Sequence, residues 1–63
     1  GYINTDMVKA MSEKAIEATE NQIPIGHLGE PEDIARCVKF LIADESTFIT
    51  GSTITANGGH YLI

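Results

Sequence analysis

Apolar side chains recur at Ile34, Val38, Leu41 and Ile42, spaced i, i+4, i+7 and i+8, with Ala35 and Phe40 widening the stripe. That spacing follows the helical period and predicts an amphipathic helix over residues 31–43. Pro31 suits a first helical position, where a missing N–H costs nothing. Glu30, Glu32 and Asp33 set negative charge against the positive end of the helix dipole. One broad face of this helix has to be buried against something, and the rest of the chain offers little to cover it.

A second helical pattern runs through Met7, Val8, Met11, Ala15 and Ala18, with Lys9, Glu13, Lys14, Glu17 and Glu20 on the other side. It predicts a helix over residues 5–19, opening at the capping residues Thr5 or Asp6. Glu13 and Glu17 repel at i, i+4 and the stripe lacks a Leu or Phe, so this helix is expected to be the weaker of the two. Pro24, Gly26 and Gly29 interrupt Ile23, Ile25 and Leu28 and mark a connector with apolar teeth. After a polar turn at residues 44–47, the β-branched Thr53, Ile54 and Thr55 predict one strand over residues 53–56, closed by Asn57, Gly58 and Gly59. A lone strand leaves its backbone N–H and C=O groups without neighbours, and no partner strands occur in these residues. The tail His60, Tyr61, Leu62 and Ile63 is apolar and too short to fold on itself. It is expected to dock on another subunit or on a further part of the domain.

Size sharpens the problem. A domain of about 60 residues buries only about 60% of its unfolded surface, and Cys37, the single cysteine, can form no internal bridge. It is expected to be a free, buried thiol in a reducing compartment. A formal charge of −5 with four Lys and Arg residues leaves no basic stripe for nucleic acid and disfavours anionic membranes. No apolar run approaches the roughly 20 residues of a membrane span, and no signal-peptide pattern opens the chain. The expectation is a cytoplasmic protein. Because Gly1 is not an initiator Met and the chain is small, these residues are expected to belong to something larger.

Taken in order, Gly-Tyr-Ile-Asn-Thr-Asp-Met, Ile-Pro-Ile-Gly-His-Leu-Gly-Glu-Pro-Glu-Asp-Ile-Ala, Phe-Leu and Ile-Thr-Gly-Ser-Thr-Ile-Thr-Ala-Asn-Gly-Gly resemble the C-terminal quarter of short-chain dehydrogenases/reductases. The nearest likeness is to the β-ketoacyl reductases, which act on 3-oxoacyl-carrier-protein or acetoacetyl-CoA. The resemblance covers essentially the whole chain. It implies an α/β fold, the C-terminal part of a doubly wound Rossmann-type parallel sheet, with residues 5–19 as a substrate-side flap, 31–43 as a packing helix and 53–56 as the last strand. Residues 1–63 would then be one segment of a single domain. The parent would reduce 3-oxoacyl thioesters with NADP, or with NAD, and would assemble as a homotetramer. Fatty acid or polyhydroxyalkanoate metabolism is the implied setting.

The same resemblance implies that Gly1, Tyr2, Ile3 and Thr5 lie on the cofactor. The Ile3 backbone would meet the nicotinamide carboxamide, and the Thr5 hydroxyl would meet the carboxamide or the pyrophosphate. Tyr2, Met7 and Ser12 would face the acyl substrate. A threonine at a helix start does join a hydroxyl to free N–H groups, although an ordinary N-cap explains Thr5 equally. Tyr2 could simply pack, and Lys9 and Lys14 read as a solvated helix face. His27 is expected to bond within its loop rather than to a metal, and His60 and Cys37 lack ligand spacing. No catalytic residue is assigned. The family pairs Tyr with Lys in a Tyr-x-x-x-Lys spacing so that the ammonium lowers the phenol's pKa, but Asp6 stands four residues after Tyr2 and Tyr61 lies near the end. The Gly-rich dinucleotide turn is also missing. The chain alone is therefore expected to be inactive. The rival readings are a small non-catalytic interaction module, assembling through the central helix and the tail, and an inert proteolytic fragment.

Overall fold

The computed structural model describes residues 1–61. Three α-helices follow one another, α1 (Asp6–Lys9), α2 (Glu13–Gln22) and α3 (Pro31–Ile42), and a single 3-10 turn (Asp44–Ser46) comes after α3. The last of these helices lies where its apolar period and Pro31 place it. Its first turn is tied down by Asp33, whose carboxylate accepts the Glu30 N–H at 2.7 Å and the Arg36 guanidinium at 3.0 Å. At the other end the Ser46 hydroxyl donates to the Phe40 carbonyl at 2.6 Å, one of the carbonyls that a helix terminus leaves without an internal partner.

The helix expected over residues 5–19 is instead two helices, with a break at Ala10 to Ser12. Ser12 causes the break: its backbone is extended and its hydroxyl accepts the Ala15 N–H at 3.1 Å. A serine that caps a new helix cannot also continue the old one. The turn rotates the apolar side. Val8 is buried, Met11 and Ile16 pack beside it, and Met7 is left 84% exposed. Ile16, which falls off the stripe of a single continuous helix, is thus the anchor of α2. That helix runs past 19 to Gln22 and stops at Ile23, whose extended backbone (φ −91°, ψ 117°) is what the following Pro24 requires.

The buried centre is small: Val8, Ile23 and Leu28, with Met11 and Ile16 against it. No strand forms among the described residues, and the expected strand over 53–56 is a correction. Residues 51–55 are exposed, Ile54 to 46%, because nothing lies beside them to pair with their backbone. Among the described residues the one β interaction is an isolated parallel bridge between Ile3 and Gly29. The apolar side of α3 is uncovered too, with Ile34, Val38, Leu41 and Ile42 all exposed. Cys37, expected to be buried, is only half-buried for the same reason. Of the tail, Leu62 and Ile63 lie outside the described residues. No helix among those described is long and apolar enough to cross a membrane.

Candidate functional site

Three stretches far apart in sequence converge. The ribbon of residues 1–5 runs alongside Gly29: the Asn4 N–H donates to the Gly29 carbonyl at 2.7 Å, and the Gly29 N–H donates to the Tyr2 carbonyl at 3.0 Å. The turn after residue 56 closes in from the other side, where the Ile25 N–H donates to the Gly58 carbonyl at 3.0 Å. Asn57 shapes that turn. Its carbonyl side-chain oxygen accepts the Gly59 N–H at 2.9 Å and its amide donates to the Tyr61 carbonyl at 2.7 Å. Between the three stretches lies a pocket of about 190 Å³, bordered by Tyr2, Ile3, Ile25, Gly29, Ile34 and Asn57.

The bridge engages the groups on either side of Ile3 and leaves its own N–H on the opposite edge. The Ile3 carbonyl accepts the Thr5 N–H at 2.8 Å, while the Ile3 N–H has no partner among the described residues. A backbone donor held in place but unused is suited to an external amide or carboxamide oxygen. Gly1 meets Asn57 so closely that an added Cβ would lie 2.8 Å from the Asn57 Cα. The Tyr2 ring, 43% exposed, stands 5.9 Å from the His60 ring, tilted by 38°. Thr5 occupies the N-cap position of α1, yet its hydroxyl makes no cap hydrogen bond. It therefore remains available to a ligand. The helix behind it has only four residues, so its dipole adds little to any anion attraction there.

A family model described as enoyl-(acyl carrier protein) reductase matches residues 1–61. The chain belongs to the short-chain dehydrogenase/reductase family. It is 61% identical over 62 residues to the acetoacetyl-CoA reductase of Rhizobium meliloti (strain 1021), covering 97% of this chain and 26% of that protein. It is 58% identical over 64 residues to the acetoacetyl-CoA reductase of Shinella zoogloeoides, covering 100% of this chain and 27% of the relative. It is 48% identical over 63 residues to the 3-oxoacyl-(acyl-carrier-protein) reductase FabG of Vibrio cholerae serotype O1, covering 100% of this chain and 26% of the relative. The chain therefore spans about a quarter of the length of these relatives. Membership of the family implies a Rossmann-type fold, the sheet of which these residues do not form by themselves.

Within that family setting the expected contact residues separate into two groups. Gly1, Tyr2, Ile3 and Thr5 are continuous with the held ribbon. Met7 stands out in solvent, and the Ser12 hydroxyl is already engaged as the cap of α2. His27 places Nδ1 2.8 Å from the Leu28 carbonyl oxygen, the bond within its own loop that was expected of it. Sequence reasoning passed over Asn4, Gly29 and Glu30, which hold the ribbon, and Asn57, which lies close against Gly1. The Asn-Gly-Gly and Gly-Glu-Pro runs carry that signal, but as a turn and a helix start they gave no hint that both close on residues 1–5.

Proposed function

We propose that these residues are the C-terminal segment of an NAD(P)H-dependent reductase that converts 3-oxoacyl thioesters to 3-hydroxyacyl thioesters, with NADP as the coenzyme. The observation that carries the proposal is the ribbon at Ile3, pinned along one edge by Gly29 and open at its own N–H along the other. It is supported by the names of the relatives, which are reductases of acetoacetyl-CoA and of 3-oxoacyl-(acyl-carrier-protein). The bound nicotinamide would supply hydride to the ketone. In this segment the Ile3 N–H would hold the carboxamide, the Thr5 hydroxyl would support the carboxamide or the pyrophosphate, and Tyr2 would border the acyl group. The proton donor would come from residues outside this segment, in a Tyr-x-x-x-Lys pair. The open side of α3 would be covered by the rest of the same domain or by a second copy of the protein.

The test is made on the complete protein that carries these residues. Purified and given NADPH with acetoacetyl-CoA, or with a 3-oxoacyl carrier protein, it is expected to consume NADPH only when a 3-oxoacyl thioester is present. If NADPH is consumed with neither acetoacetyl-CoA nor the 3-oxoacyl carrier protein, in a protein shown to be folded, the proposal is overturned.

A further inference from the structure

Building on the reading of residues 1–5 as the nicotinamide ribbon, we infer that the start of α3, through Gly29 and the N-cap Glu30 just before it and Asp33 in its first turn, is the device that positions this ribbon. Gly29 makes both backbone bonds of the bridge, to Asn4 and to Tyr2, at 2.7 and 3.0 Å. Glu30 adds a side-chain hold, its carboxylate accepting the Asn4 amide at 3.3 Å. The backbone of Glu30 is in turn held by Asp33 at 2.7 Å, and Asp33 by Arg36. The position of Ile3 is thereby tied to a 12-residue helix rather than to the short α1 that follows it. Contact is close as well as bonded. A Cβ added at Gly29 would stand 2.9 Å from the Ile3 Cδ1, the free end of a flexible side chain, and 3.7 Å from the Tyr2 carbonyl oxygen, so the Ile3 side chain packs directly over residue 29. The Gly29 backbone itself is not in the left-handed region, which means that an alanine there disturbs the neighbour and not its own conformation.

In this reading these groups would act on the coenzyme through the Ile3 backbone, as positioning residues. In the complete reductase, Glu30→Ala and Asn4→Ala are each expected to raise the KM for NADPH about fivefold, as loss of one hydrogen bond worth roughly 1 kcal/mol would. The kcat and the urea midpoint should change much less. Because both remove the same bond, the double variant is expected to be no worse than either single one. Glu30→Gln, which keeps an acceptor for the Asn4 amide, should behave like the parent. A parent that turns over while Glu30→Ala and Asn4→Ala leave the coenzyme KM unchanged would defeat this inference alone. Additive effects of Asn4→Ala and Glu30→Ala would defeat it equally. A folded parent without reductase activity would remove the function proposed above and this inference with it.

Discussion

Single residues decide how the converging stretches meet. Gly58 takes a positive φ of 62°, and an added Cβ would come within 2.7 Å of both the Ile23 and Ile25 Cγ2 atoms. In the complete protein Gly58→Ala is expected to cost about 2 kcal/mol, combining the left-handed penalty of roughly 1–2 kcal/mol with overlap against two isoleucines. A drop in the urea midpoint with the slope unchanged would register it. Ser12→Ala removes a cap whose bond to Ala15 is 3.1 Å long, and the expected loss is about 1 kcal/mol. If Ser12 acted chiefly on the acyl substrate, the same change would instead raise the thioester KM and leave the urea midpoint alone. Arg36, by contrast, is 74% exposed in its pair with Asp33. Replacing it with alanine should shift stability by less than about 0.5 kcal/mol.

At the level of elements, α3 was legible and the helical stretch over residues 5–19 was not, for physical reasons that differ. Proline, three acidic residues and a period of 3.6 all point to one helix beginning at residue 31, and these signals are local. Residues 5–19 carry a period as well, but Ser12 has two uses, a tolerated helical position or a cap, and the choice depends on whether Ile16 can reach Val8 and Met11. No spacing rule sees that contact. The strand at 53–56 shows the opposite failure. Its β-branched composition is a local preference, and pairing is not local, so exposed residues 51–55 keep the preference without the structure. The ribbon was legible only through resemblance, because Ile3 and Gly29 lie 26 positions apart and nothing in either stretch names the other. Asp33→Ala tests the helix start on which that pairing rests. It should lower stability by about 1 kcal/mol through loss of the bond to the Glu30 N–H.

For the molecule as a whole, the buried centre of three residues stands against an uncovered helix face and an unpaired extended run. In the proposed reading both would be covered by the rest of the Rossmann-type fold that family membership implies. The 63 residues prepared alone are expected to show no cooperative urea transition and no quenching or enhancement of NADPH fluorescence. The most direct measurement exchanges the matched segment of the Rhizobium meliloti acetoacetyl-CoA reductase for residues 1–63 and follows NADPH oxidation by the purified chimera. Turnover of acetoacetyl-CoA within about tenfold of the parent enzyme, a difference of roughly 1.4 kcal/mol, is the expected result. A chimera that folds and assembles as the parent does, yet neither binds NADPH nor reduces the thioester, would contradict the assignment of residues 1–5 to the coenzyme.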